Sequence, residues 1–295
     1  MAFTNPTVLA RQVMAGLANG MLLFLVAAGL SLIFGVCRII NFAHGAFFML
    51  GAYLAFTVVS ATANSVPMFV VAVVLSTFGV VLFGMAFEVL FLRRIYRSPQ
   101  AFQLLLTFGL VLILGDAVKL VWGREENSIG VPAGLDGFVR PFGVTFPVYR
   151  LCLIAIGLAI CAAFWALLYR TRWGTLVRAA AADREMLQAL GVDVSSVFTL
   201  VFGAGCGLAG LAGALAAPIA SIGPGLHAQV LIDAFAVVVI GGMGSFPGAL
   251  AGALLIGQAN AFGILAFPAL AIVMPFIVMT LLLIVRPWGL LGRPE

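Results

Sequence analysis

From Val13 to Phe34 the chain runs without a charged side chain, and apolar runs of that kind recur to its far end. A run of about 20 apolar residues suffices to cross the hydrocarbon of a bilayer as one helix. Charged residues make up only 8% of the sequence and apolar ones 64%, and no soluble exterior can be built from that mixture. The fold class expected is therefore all-α and integral to a membrane. Its 295 residues allow about eight or nine spans with short connections, forming a single transmembrane domain over 1–295.

The spans follow in order. The first is Val13–Phe34, with Asn19 inside it and Gly16 and Gly20 at a spacing that lets helices approach closely. Gly35–Tyr53 comes next, where Arg38, Asn41 and His44 interrupt an apolar run that continues to Ser60. Polar side chains at membrane depth are costly and face protein or water. The interruption reads either as a broken, re-entrant entry or as the interfacial end of the first span. Further spans are expected at Met68–Leu92, Phe102–Trp122, Val148–Tyr169 and Val197–Pro218, the last rich in glycine. Asp116 and Lys119 stand three apart on the fourth and can pair. A short segment, Ile232–Ile240, runs into Gly241, Gly242, Gly244, Pro247 and Gly248 before Ala249–Phe267. That glycine stretch fits a hinge in a discontinuous helix or a tight turn. The final span is Ala269–Val285. Asn41–Ala52 and Gly242–Ala253 are loosely alike, a faint trace of an internal repeat.

One interval breaks the oily pattern. Tyr169–Val201 holds Arg170, Arg172, Arg178 and Arg184 with Asp183, Glu185 and Asp193, and must lie outside the hydrocarbon. Arg178–Leu190 has the composition of a helix, and Gly191 stands where a glycine stop belongs. It reads as a helix displayed for another protein, or as a plain helical loop.

Basic residues collect on the cytoplasmic side of membrane proteins. Nine crossings with the N-terminus outside put Arg38, Arg93, Arg94, Arg97, Arg170, Arg172, Arg178, Arg184, Arg286 and Arg293 inside. Arg11, Lys119, Arg124, Arg140 and Arg150 fall outside. A re-entrant segment would reduce the count to eight. The start, MAFTNPTVLARQ, lacks a basic leader pattern, so the first span is expected to be retained.

The chemistry offered is sparse. Lys119 is the only lysine and no Gly-x-x-x-x-Gly precedes it, so no phosphate-binding loop is present. Two histidines, His44 and His227, exclude most multi-histidine metal sites. The four cysteines show no ligand spacing and read as buried small apolar residues. Glu88, Asp116 and Asp233 all lie near span ends, which disfavours an ion-driven carrier needing acids deep in the bundle. The chain reads as no enzyme, with no catalytic residues and no metal. Its energy is expected from a partner.

Three motifs now resemble one family. They are Arg178-Ala179 with Asp183, Met186, Leu190, Gly191, Val192 and Asp193; Ile40–Gly45 with Met49–Tyr53; and Gly241–Ser245 with Pro247-Gly248-Ala249. Together they resemble branched-chain amino acid ABC permeases of the LivH type, over essentially the whole chain. Leu187 departs from the small residue that family often has there. The resemblance implies a multi-pass permease of the bacterial inner membrane. Its implied partners are a second permease (LivM type or a copy of itself), two cytoplasmic ATPases and a periplasmic substrate-binding protein. ATP and magnesium would be bound by the ATPases, with no cofactor in this chain. Implied coupling residues are Arg178, Asp183, Arg184, Glu185, Met186, Leu187, Leu190 and Gly191. Asn19, Asn41, His44 and Tyr53 are candidates for the translocation path, because they put polar groups beside glycines. The family's substrates include branched-chain and other amino acids, urea, short amides and small organic acids. A passive channel and an ion-coupled carrier are the competing expectations.

Overall fold

The computed structural model describes residues 6–96, 98–140, 143–266 and 268–292. Arg97 and Arg293, assigned above to the basic side, lie outside the described residues. The described chain is all-α apart from one small hairpin, and is that of a polytopic membrane protein.

Its helices are α1 (Pro6–Cys37), α2 (His44–Ser60), α3 (Val66–Leu90), α4 (Gln100–Trp122) and α5 (Val148–Arg170). Then come α6 (Arg172–Ala182), α7 (Arg184–Ala189), α8 (Val194–Ala216), α9 (Leu226–Gly241), α10 (Phe246–Ala266) and α11 (Met274–Val285). Proline and glycine place many of the boundaries. Pro67 and Pro275 open α3 and α11, whose first N–H groups would lack partners anyway. Gly123 (φ +87°) and Gly242 (φ +97°) close α4 and α9. A two-residue antiparallel hairpin, β1 (Phe138–Val139) with β2 (Phe146–Pro147), sits in the loop before α5.

Six helices, α1, α3, α4, α5, α8 and α10, are long and apolar enough to cross a membrane. Of these α1 and α8 are mostly buried, whereas α3, α4 and α5 keep most of their surface outward. A helix apolar on all sides is solvated by protein in the first case and by lipid in the second. The expected last span, Ala269–Val285, divides into a 3-10 segment at Pro268–Val273 and the twelve-residue α11.

Glycine makes the central contacts possible. Gly51 of α2 lies against Gly210 of α8, and Gly213 lies against the Phe48 carbonyl and the Ala52 amide. Along α1, Gly16 and Gly20 face α10, where Gly257 rests on their backbone. Without side chains in the way, helices approach to backbone contact, which replaces the hydrophobic drive absent in lipid.

Two of the shorter helices begin inside the bundle. The His44 Nε2–H donates to the Val26 carbonyl of α1 at 2.9 Å. Val26 lies about 16 Å up α1 from Cys37, roughly half of a ~30 Å hydrocarbon core. Gly45 in turn abuts the His227 carbonyl, so the start of α9 meets the start of α2 at that depth. Residues 38–43 therefore re-enter the bundle, and the interruption is no mere interfacial end. α9 starts six residues earlier than the expected Ile232, because His227 and Gln229 mask its apolar signal.

Contacts separate the two ends of the molecule. At one, Asn64 binds Gly130 (2.9 Å), Asn127 pairs with Ile222 (2.9 and 2.8 Å), and Trp122 donates to Thr57 (2.7 Å). Arg11, Lys119, Arg124, Arg140 and Arg150 belong to that end. At the other gather Arg38, Arg93, Arg94, Arg170, Arg172, Arg178, Arg184 and Arg286, on termini joined by contacts described below. Asp116 and Lys119 do pair, at 2.8 Å, and both are exposed.

Candidate functional site

The most exposed structure on the basic end is α6–α7. Thr171 is extended (φ −116°) and its hydroxyl accepts from the Gly174 amide, opening α6. Gly174, Val177 and Ala180 recur at helical spacing and turn inward. Arg178 donates to the Leu168 carbonyl and lies over the Tyr169 ring, 5.3 Å from its centroid. It thus fixes α6 to the end of α5.

The single helix expected over Arg178–Leu190 is instead two. Asp183 is extended (φ −151°) and ends α6, then its Oδ1 accepts from the Glu185 and Met186 amides, each at 2.9 Å. A side chain that satisfies two free N–H groups restarts a helix more readily than the backbone continues one. α7 closes at Gly191 (φ +84°), with the Leu190 and Val192 amides returning to Met186 and Leu187 carbonyls. Leu187 is only 5% exposed, whereas Met186 is 60% and Leu190 74% exposed. Leu187, grouped above with the coupling residues, is thus the anchor of α7. Arg184, Glu185, Met186 and Leu190 form its outward surface. Asp193 caps α8, accepting from the Ser195 amide (3.0 Å) and from the Ser196 hydroxyl. The Ser196 hydrogen bond holds its carboxyl below the usual carboxylate range.

The second cluster lies in the re-entrant stretch. Arg38 has φ +56°, the only positive φ of a non-glycine among the described residues. Asn41 Oδ1 accepts from the Ala43 amide at 3.0 Å, and the His44 amide donates to the Asn41 carbonyl at 3.2 Å. Asn41 and His44 are fully buried. Among the described residues, Asn41 Nδ2, His44 Nδ1 and the Ser31 hydroxyl have no hydrogen-bond partner. Such groups in a native protein mark a place that water or a ligand completes. Tyr53 stands higher on α2, its hydroxyl 3.4 Å from the Ile222 carbonyl. Asn19, on α1, is half-buried and is not brought to this cluster by any hydrogen bond in the described residues.

Gly241–Ser245 forms a tight turn between two separate helices. Ser245 donates its amide to the Gly242 carbonyl (3.0 Å) and accepts from the Gly248 amide (3.1 Å). Pro247 sits in the first turn of α10, while Gly248 lies against Gly241. Gly244 meets Gly35 of α1 so closely that a Cβ there would come within 3.0 Å of the Gly35 Cα. The turn thus abuts α1 just ahead of the re-entrant stretch. From the other side, Leu290 and Leu291 donate to the Ile240 and Gly241 carbonyls at 2.8 and 3.1 Å.

One feature escapes a reading of sequence. The buried Glu88 carboxylate accepts from the Tyr96 hydroxyl (2.6 Å), the Thr199 hydroxyl (2.6 Å) and Arg93 (3.3 Å). This ties the end of α3 to the first turns of α8. Burial pushes the Tyr96 phenol above its ordinary pKa, which keeps it a donor. Glu88, Arg93 and Tyr96 are adjacent in sequence, but nothing there points to Thr199.

A family model described as "Branched-chain amino acid transport system / permease component" matches residues 12–285. The chain is 32% identical to the high-affinity branched-chain amino acid transport system permease protein BraD of Pseudomonas aeruginosa, covering 97% of this chain and 96% of that protein. It is 27% identical to the corresponding LivH of Escherichia coli, again over 97% and 96%. Against a probable LivH of Methanocaldococcus jannaschii the identity is 28%, over 92% of this chain and 89% of that protein. No solved structure matches.

Proposed function

The chain belongs to the branched-chain amino acid transport system permease family, and from that premise we propose that it imports branched-chain or related amino acids as one permease subunit of an ATP-driven complex in a bacterial inner membrane. The end rich in arginine faces the cytoplasm. There α7 offers Met186 and Leu190 to an ATPase subunit, which binds ATP and magnesium itself. The observation that carries this reading is an apolar pair left exposed on a capped helix outside the hydrocarbon.

The coupling route runs through packing. α7 rests on Leu187, and Asp193 joins it to α8 within four residues. α8 packs through glycine against α2, and through Glu88 against α3. A push on α7 thus reaches the inner helices as a rigid-body movement, the kind alternating access requires. Inside, α2 and α9 bring their starts together near mid-bilayer, where helix N-termini favour a carboxylate. Asn41 Nδ2 and His44 Nδ1 are polar groups there without a partner among the described residues. A second permease subunit, two ATPases and a periplasmic binding protein complete the assembly.

The test is a double substitution, Met186→Asp with Leu190→Asp, in the assembled complex. Uptake into vesicles should fall about tenfold or more, as for the loss of an interface hot spot, with unchanged insertion and elution. Normal uptake would sink the docking role of α7. Uphill uptake by the chain alone, with no ATPase present, would sink the motor-driven reading itself.

A further inference from the structure

A groove of about 730 Å³ lies between α3 and α4 at the basic end. Two ridges at i, i+4 spacing form its walls: Phe83, Phe87 and Phe91 along α3 and its C-cap, and Leu105, Gly109 and Ile113 along α4. It extends on α4 from Phe102 to Ile113, about 16 Å of helix. That is roughly half of a ~30 Å hydrocarbon core, or one leaflet. Its floor is open, since a Cβ on Gly109 would meet nothing within 4 Å.

Arg94 stands at the mouth. It is exposed, and among the described residues its guanidinium has neither a hydrogen bond nor an ion pair. Its neighbour Arg93 is by contrast committed to Glu88 and Thr199. A dry slot one leaflet long that ends at an unpaired cation matches one kind of molecule. We propose that this groove holds an acyl chain of an anionic phospholipid, with the lipid phosphate on Arg94. A spanning helix of a partner subunit is twice the length of the slot. A zwitterionic lipid carries its own cation beside the phosphate. The proposal does not depend on the substrate or on the ATPase.

Native mass spectrometry of the full chain, with the subunits that co-purify, tests it. Phosphatidylglycerol and phosphatidylethanolamine of equal acyl length are offered together. Wild type should retain the anionic lipid about fivefold better, the effect of one basic residue near an anionic headgroup. Arg94→Gln should bring the two lipids level while keeping some of each. Gly109→Trp, which fills the slot, should lower retention of both with unchanged elution. Excess inorganic phosphate should not strip the lipid. Equal retention of the two lipids by wild type, or undiminished retention by Gly109→Trp, overturns the proposal. So does cross-linking of Gly109→Cys to a second subunit, which would make the slot a subunit interface.

Discussion

At Gly51 and Gly210 two helices meet backbone to backbone, with no room for a single methyl group on either. At Met186 and Leu190, large apolar side chains stand in the open on a helix of six residues. The first region has traded side chains for proximity: Gly51 faces the backbone of Gly210, which cannot retreat, and Gly210 faces the Val80 side chain of α3. The second has kept its side chains and dispensed with neighbours, relying on one buried leucine and one aspartate cap. A transporter built this way separates what must stay put from what must be reached by another protein.

The sharpest way to break that contrast is to put bulk into the seam. Gly51→Leu should cost more than about 3 kcal/mol, since overpacking against backbone has no cheap relaxation. Loss of the monodisperse peak in detergent is the readout. Gly109→Ala, at a glycine with an empty surround, should leave Tm unchanged or raised. If both behave alike, close approach is not what holds α2 to α8.

Next in size is Glu88→Ala. Removing the acceptor strands the Tyr96 hydroxyl and leaves Arg93 and Thr199 only each other and the Ser195 carbonyl, at about 2–3 kcal/mol. Thermal unfolding in detergent measures it, and Thr199→Val should show little additional loss in the double variant.

On α7 the effects should be smaller and local. Asp183→Ala removes a cap that serves two amides and should cost about 1 kcal/mol. Hydrogen exchange should quicken over Arg184–Ala189 and stay unchanged over α8. Smallest is the pH response of Asp193. Its folded pKa is depressed, so its contribution is complete above the unfolded value of about 3.9 and fades as pH falls through the folded value. Asp193→Asn should flatten that acid-side loss in a Tm–pH series, by lowering Tm slightly at neutral pH and leaving the acid end unchanged.

The same contrast explains what could be read from sequence. Helix ends at Pro67, Gly123, Gly191 and Gly242 were legible, because proline and glycine act through their own backbone. The spacing of Gly16 and Gly20 likewise pointed to close packing, which α10 supplies. The division of α6 from α7 was not, although its cause is local. An alanine-rich composition argued for continuity, while Asp183 accepted two amides and stopped it. Leu187 could not be told from Met186 and Leu190 by composition, since only tertiary packing decides which of three apolar residues turns inward. Asn41 and His44 were marked as polar groups at membrane depth, and the structure buries both in one cluster. Asn19 and Tyr53 stand apart from it. The partner of Glu88 lies on α8, over a hundred residues away, where no periodicity could find it.

The clasp of Leu290 and Leu291 on the end of α9 bears on how such a protein is made. These residues leave the ribosome after every described helix. Until then the carbonyls of Ile240 and Gly241 have no acceptor role filled from that side. The end of α9 is therefore completed only after α11 has been made. Fusions placed between α11 and this clasp should yield chains that insert but are handed to proteolysis.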